Sequence, residues 1–156
     1  MIVIMGVSGC GKTTVGKELA GQLDLPFYDA DDFHPQENID KMQGGTPLQD
    51  ADRWPWLQIL AREMKDWSAH GGAVLACSAL KESYREVLTS EVQVEWVFLH
   101  APFEIIFDRM QAREHFMDPG LLRSQFDTLE PPSYGIHVNA VATIDEIVSE
   151  ITTQLE

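Results

Sequence analysis

The chain is poor in cysteine and in long apolar stretches, and each shortage excludes a class of protein. Its 156 residues include two cysteines, Cys10 and Cys77, which are too few for a disulfide scaffold and lie in no metal-ligand spacing. No apolar run approaches the roughly 18 residues that a membrane-spanning helix needs. Because Met1 leads directly into an apolar strand, we expect no signal or transit peptide, and a cytoplasmic protein with reduced thiols.

Positive charge is also scarce, with 11 Lys and Arg against 25 Asp and Glu and a net charge of −14. This balance argues against nucleic acid as a partner, because phosphate backbones bind clustered Lys and Arg. Most of the basic residues nevertheless fall in segments that other features mark as site-forming: Lys12, Lys41, Arg53, Lys81, Arg85, Arg109, Arg113 and Arg123. An acidic exterior with cations gathered in one cleft suits a small anionic substrate plus ATP. Any one of these cations can equally be a solvated helix-face residue.

Residues 6–13 match the phosphate-binding pattern G-x-x-x-x-G-K-[ST]. An apolar strand at residues 1–5 precedes the pattern, and a helix at about residues 12–23 follows it. Strand, glycine turn and helix start together form an anion cradle, in which Lys12 reaches the outer phosphates and the Thr13 hydroxyl ligates Mg²⁺. The alternative is a purely structural glycine turn that packs a helix on a strand and binds no ligand. We predict a nucleoside triphosphate site at Gly6, Ser8, Gly9, Cys10, Gly11, Lys12, Thr13 and Thr14.

Strands and helices alternate along the rest of the chain. Further strands are predicted at residues 26–29, 73–77, 94–99 and 135–138. Further helices are predicted at residues 55–69, 80–88 and about 121–129, and two more begin at residues 102 and 143. Pro55 suits the first turn of its helix. With no repeat or linker, we expect a single α/β domain over residues 1–156, with three α/β/α layers and a mostly five-stranded parallel sheet. Ligands then gather at the carboxyl ends of the strands.

Acidic residues follow the second predicted strand, at one of these carboxyl ends. In a phosphotransferase, a carboxylate of Asp29, Asp31 or Asp32 can accept the proton of an attacking hydroxyl or hold Mg²⁺ through water. The alternative is that all three are solvated loop residues. His34 follows closely, and it can hydrogen-bond a polyol or be a structural or exposed histidine.

Residues 29–35, 52–53 and 55–57 resemble the thermoresistant-type gluconokinases, and the similarity continues through residues 77–81 and 124–132. The resemblance covers nearly the whole chain. It implies a P-loop kinase fold like that of shikimate and adenylate kinases, with a mobile lid at about residues 114–132. The implied reaction is Mg²⁺-dependent transfer of the γ-phosphoryl group of ATP to the 6-hydroxyl of D-gluconate. A homodimer is the assembly that the resemblance suggests.

The same resemblance implies roles for single residues. Lys12 bridges to the γ-phosphoryl group, Asp31 orients and deprotonates the 6-hydroxyl near Mg²⁺, and Arg113 stabilises the transferring group from the lid. Arg109 stacks on adenine. The implied sugar-acid pocket consists of Asp31, His34, Lys41, Arg53, Ser78, Lys81 and Arg85. Arg53 is the preferred partner of the substrate carboxylate, because its planar fork can pair both oxygens.

Two other functions stay open. The first is a kinase of another small hydroxy acid such as shikimate, although residues 77–80 stand where shikimate kinases carry a glycine-rich substrate motif. The second is an ATP-binding sensor without acceptor chemistry. One departure from the gluconokinase pattern bears on the sensor, because the chain is one residue shorter after Arg113, in the predicted lid. A second departure bears on the nucleotide base preference, because residues 139–141 lack an Asp-x-x-Pro-like pattern.

Overall fold

The computed structural model describes residues 1–112 and 119–156. Its strands are β1 (Ile2–Met5), β2 (Phe27–Asp29), β3 (Val74–Ala76), β4 (Glu95–His100) and β5 (Ile136–Asn139). Its α-helices are α1 (Lys12–Leu23), α2 (Gln36–Gln43), α3 (Asp50–Ala69), α4 (Glu82–Leu88), α5 (Phe103–Gln111), α6 (Pro119–Thr128) and α7 (Ile144–Leu155). Arg113 and the first part of the predicted lid lie outside the described residues.

All five strands pair in parallel, in the order β2-β3-β1-β4-β5. The central strand β1 is buried along its whole length, with Ile2 opposite Val74 on one side and Glu95 on the other. In this strand order, the right-handed connections that parallel strands adopt put α3, α4 and α5 on the face opposite α1. Helix α3 packs on α4, and α7 packs beside α1. Because both faces are covered, β1 and β3 are continuous apolar runs. The predicted three-layer parallel architecture is confirmed.

Two helical segments after β2 are absent from the sequence prediction. They are a short 3₁₀ helix (Ala30–Phe33) and α2, both short and polar, so that no apolar periodicity marks them. The predicted helix start at Pro55 is wrong as well, because α3 begins at Asp50. Gln49 and Asp52 form a reciprocal capping box there. Pro55 therefore lies in the second turn, on an exposed side where the unpaired carbonyl can face water.

The core is continuous from the sheet into the helices on both sides. Cys10 and Cys77 are buried within it as free thiols, as expected, and burial raises the pKa of Cys77 to about 12. In the described ranges, no helix is long and apolar enough to cross a membrane.

Candidate active site

The phosphate loop joins β1 to α1 at the carboxyl end of the sheet. Gly6, Gly9 and Gly11 have φ angles of +148°, +82° and +98°. A Cβ on Gly6 would lie 2.5 Å from the carbonyl oxygen of Leu99, and a Cβ on Gly9 would lie 2.8 Å from the Met110 side chain. Glycine therefore lets the loop pass close to β4 and α5. Since the loop runs into the N-terminus of α1, its main-chain N–H groups can bind an anion.

Lys12 and Thr13 are held by neighbouring oxygens. Lys12 Nζ donates to the carbonyl oxygen of Val7 at 2.9 Å, and Thr13 Oγ1 donates to Asp29 Oδ2 at 3.0 Å. The other Asp29 oxygen accepts from the Asp31 main-chain N–H at 3.0 Å. Because the Thr13 hydroxyl donates its hydrogen bond to Asp29, the lone pairs of Thr13 Oγ1 face away from that carboxylate.

These oxygen donors fit the predicted Mg²⁺, which prefers oxygen ligands and takes several of them from water and substrate phosphates. Thr13 Oγ1 and the Asp31 carboxylate are the groups that would hold the ion, and Asp29 orients Thr13. No three His, Cys, Asp or Glu side chains within the described part of the chain form a protein-only metal cluster. A site completed by phosphate oxygens agrees with that finding.

Asp31 stands in the open cleft beside the phosphate loop. Its side chain keeps 79 % of its surface accessible to water, yet protein atoms surround the carboxyl closely enough to desolvate it in part. Partial desolvation raises the pKa of Asp31, the negative charge of Asp29 raises it further, and Lys12 lowers it in part. A raised pKa suits a carboxylate that must accept a proton.

His34 is a neutral hydrogen-bond donor in this cleft. Its ring stacks on Trp56 at 4.1 Å, and its Nδ1 lies 3.1 Å from Asn38 Nδ2. Asn38 Nδ2 also donates to the carbonyl oxygen of Asp52 at 2.8 Å, so this atom is the amide nitrogen and His34 Nδ1 must accept from it. The ring proton is therefore on Nε2, 3.7 Å from Asp31 Oδ1. Burial lowers the pKa of His34 to about 4.

The three cations predicted for the sugar-acid pocket differ in their surroundings. Arg53 lines the cleft. Lys41 Nζ contacts Asp52 Oδ1 at 2.7 Å, and Lys81 Nζ contacts Asp50 Oδ1 at 3.2 Å. Neither lysine is among the residues that line the cleft. The N-terminal turn of α3 thus pairs two of the cations and presents the third to the cleft.

Arg85, also predicted to contact substrate, is 2 % exposed. Its Nη1 donates to the carbonyl oxygen of Ala79 at 2.7 Å, and its Nη2 donates to that of Glu130 at 2.8 Å. Its Nε lies 3.0 Å from Glu82 Oε2. These contacts connect the loop after β3 with the segment after α6, and Arg85 does not line the cleft.

The structure brings most of the predicted residues together around one cleft of about 240 Å³. The predicted residues that line it are Ser8, Gly9, Gly11, Lys12, Thr13, Thr14, Asp31, His34, Arg53 and Ser78. Gly6 and Cys10 belong to the phosphate loop but are buried and do not line the cleft. Arg109 is half-buried near the end of α5 and does not line the cleft. Arg113 lies outside the described residues, so its role stays a prediction.

Helix α6 contributes cleft residues that no sequence pattern identifies. Leu121, Ser124 and Gln125 line the cleft at a spacing that puts them on one face of the helix. Gln125 Oε1 accepts from the Ser8 main-chain N–H at 2.8 Å, and Gln125 Nε2 donates to Ser8 Oγ at 3.1 Å. Ser124 and Gln125 belong to the stretch that resembles gluconokinases, but a helix predicted there does not say which face meets the phosphate loop.

Comparisons with known proteins agree with this geometry. A family model described as shikimate kinase matches residues 8–153. A probable gluconokinase from Xenopus tropicalis is 46 % identical over all of this chain and 91 % of its own length. The gluconokinase of Gluconobacter oxydans is 48 % identical over 84 % of this chain and 75 % of its own length. The chain belongs to the gluconokinase family. The predicted family is thereby confirmed.

Solved structures place this gluconokinase-family member among P-loop kinases. The crystal structure of a gluconokinase from Sinorhizobium meliloti matches with a TM-score of 0.92 and 41 % identity, over 99 % of this chain and 90 % of the other. An APS kinase from Mycobacterium tuberculosis matches with a TM-score of 0.74 at 19 % identity, which shows the fold alone, over 99 % of this chain and 96 % of the other. The predicted P-loop kinase fold is confirmed.

Proposed function

We propose that this chain is a gluconokinase, which transfers the γ-phosphoryl group of ATP to the 6-hydroxyl of D-gluconate and yields 6-phospho-D-gluconate and ADP. The observation that carries the proposal is one cleft that joins a phosphate loop to a carboxylate, Asp31, and a cation, Arg53. The gluconokinases that are similar to this chain over most of its length support gluconate as the acceptor.

The phosphate loop binds the donor. Main-chain N–H groups of residues 9–14 bind the α- and β-phosphates, and the Lys12 ammonium exchanges the Val7 carbonyl for the γ-phosphoryl oxygens. Mg²⁺, held by Thr13 and Asp31, supplies charge neutralisation on the phosphate oxygens. Arg109 at the adenine and Arg113 at the transferring group complete the donor site in this proposal.

The opposite wall of the cleft orients the acceptor. Asp31 accepts the proton of the attacking 6-hydroxyl, since its carboxylate lines the cleft beside the phosphate loop. His34 Nε2–H donates to a substrate oxygen beside Asp31. Arg53 binds the carboxylate of gluconate, and Ser78 supports the same end of the substrate from the loop after β3. Alignment of the two substrates is the main task of these residues, because phosphoryl transfer needs little covalent help.

An ADP-release assay with gluconate, with shikimate and without acceptor tests the proposal. We expect ADP release that depends on gluconate, and a loss of about three orders of magnitude or more in the Lys12→Ala variant, whose fold is checked by circular dichroism. ADP release that depends on shikimate would show that shikimate, and not gluconate, is the acceptor. Tight ATP binding without acceptor-dependent turnover would support the sensor alternative. Light scattering tests the homodimer that the resemblance suggests.

A further inference from the structure

The carboxamide of Gln125 makes a two-point contact with Ser8 in the phosphate loop. A main-chain N–H can only donate, so the Gln125 atom 2.8 Å from Ser8 N is the oxygen Oε1. The nitrogen Nε2 then faces Ser8 Oγ, 3.1 Å away, and donates to it. Ser8 Oγ therefore accepts at this contact, and its own hydroxyl proton points in another direction.

Ser8 lies at the end of the phosphate loop where transfer takes place. The P-loop lysine binds the β- and γ-phosphates. Lys12 Nζ donates to the carbonyl oxygen of Val7, and Val7 directly precedes Ser8 in the chain. Ser8 and Gln125 both line the cleft that contains Asp31. The Ser8 main-chain N–H donates to Gln125, and the Cys10 N–H donates to the Val7 carbonyl oxygen at 3.4 Å.

Packing of α6 sets the position of Gln125. Leu122 is 1 % exposed, and the ring of Phe126 meets that of Phe103 on α5 edge to face at 5.4 Å. The guanidinium of Arg123 lies 3.7 Å above the same Phe103 ring. These contacts fix the helix against α5 on both sides of Gln125. The carboxamide thus approaches Ser8 from a packed element.

We propose that Gln125 is a positioning residue that turns the Ser8 hydroxyl proton toward the γ-phosphoryl group of bound ATP. Because Nε2 occupies a lone pair of Ser8 Oγ, the O–H bond is directed away from α6 and into the cleft. Ser8 then donates a hydrogen bond to a γ-phosphoryl oxygen, and this hydrogen bond holds the transferring group in line with the acceptor. The inference rests on the proposed function to the extent that the cleft binds ATP.

A Gln125→Glu variant tests the assignment, because a carboxylate has no proton to donate to Ser8 Oγ. The Ser8 hydroxyl would then donate to the introduced carboxylate in place of the γ-phosphoryl group, while the contact with the main-chain N–H persists. We expect affinity for a non-hydrolysable ATP analogue to fall about tenfold or more, and affinity for ADP to change less than about twofold. With gluconate, kcat should fall and KM for gluconate should stay within about twofold.

A double-mutant cycle with Ser8→Ala separates this role from a charge effect and from a structural one. Alanine at position 8 keeps the main-chain N–H contact and removes the hydroxyl. If Gln125 acts through that hydroxyl, Gln125→Glu costs much less analogue affinity in the Ser8→Ala background than in the wild type. The same loss in both backgrounds would overturn the proposal, since repulsion by the new charge or weaker anchoring of α6 needs no hydroxyl.

Gln58→Glu is the matched control, because it adds the same charge at an exposed position of α3. It should leave both nucleotide affinities unchanged, and thermal unfolding of every variant reports on the fold. The ratio of analogue affinity to ADP affinity needs no acceptor. It therefore tests Gln125 even if gluconate proves not to be the substrate, so failure of this inference and failure of the proposed function are distinguishable.

Discussion

Arg53 differs from the two lysines near it in the partner that holds it. Lys41 and Lys81 are paired with Asp52 and Asp50, whereas Arg53 Nη1 donates to the hydroxyl of Tyr84 at 2.9 Å. That hydroxyl in turn donates to Asp50, and burial together with this hydrogen bond raises the pKa of Tyr84 to about 12. Arg53 makes no salt bridge with a carboxylate within the described ranges, so its charge is available to an anionic substrate.

We expect Arg53→Ala to raise KM for gluconate by about 10- to 100-fold, the cost of losing a charge-assisted pair, and to change KM for ATP by less than about twofold. Steady-state kinetics with each substrate varied in turn measures both constants. Arg62→Ala is the matched control, since Arg62 is an exposed arginine of the same helix. Equal increases in both constants would remove Arg53 from the sugar-acid pocket.

Among the secondary-structure elements, α4 and α6 are joined through Arg85 and Glu130. Besides the two carbonyl contacts of Arg85, the Glu130 side chain accepts from the Glu82 main-chain N–H at 3.0 Å, at the start of α4. The Glu130 main-chain N–H donates to the carbonyl oxygen of Leu80 at 2.7 Å. The far end of the segment predicted as a lid is therefore attached to the loop that carries Ser78. Closure of that lid stays a prediction.

We predict a structural role for Arg85 in place of contact with substrate. Arg85→Leu should lower the free energy of unfolding by about 3 kcal/mol, because the buried carbonyl of Ala79 and the part-buried carbonyl of Glu130 lose their donor and Glu82 loses its partner. Urea unfolding measures the change, with Arg62→Leu as the exposed control. Unchanged stability together with a raised KM for gluconate would return Arg85 to the substrate pocket.

The helices and strands show how far sequence patterns extend. Apolar runs predict all five strands to within one residue at each end, and residues 6–13 predict the phosphate loop because its chemistry is local. The short polar helix α2 is not predicted from the sequence, since its position depends on α3, where Asp52 pairs with Lys41. The contacts of Gln125 and Arg85 are not predicted for a related reason. Their partners lie 117 and 45 residues away in the chain, and only the tertiary fold brings them together.

For the whole molecule, His34 makes stability depend on pH. The unfolded chain takes up a proton at this histidine below about pH 6.5, whereas the folded protein resists protonation until about pH 4. Protons therefore favour unfolding as the pH falls between these values. Asp31, whose pKa is raised, acts in the opposite direction because the folded state binds its proton first.

We expect His34 to reduce the free energy of unfolding by about 2 kcal/mol between pH 7 and pH 5, by linkage over its lowered pKa. A His34→Gln variant does not titrate at this position, so its stability should fall less over the same interval. Urea unfolding of both proteins without nucleotide measures the difference, in which the effect of Asp31 largely cancels. Parallel pH profiles for the two proteins would contradict the prediction.

The central place of β1 in the sheet has a consequence for biosynthesis. Strand β1 precedes both of its neighbours in the chain, β3 on one side and β4 on the other, and β4 ends at His100. A nascent chain that ends before β4 thus carries an apolar strand with at least one open edge, which is prone to pair with other chains. The nucleotide loop therefore acquires its final surroundings only after β4 has been synthesised, since Gly6 packs against the Leu99 carbonyl.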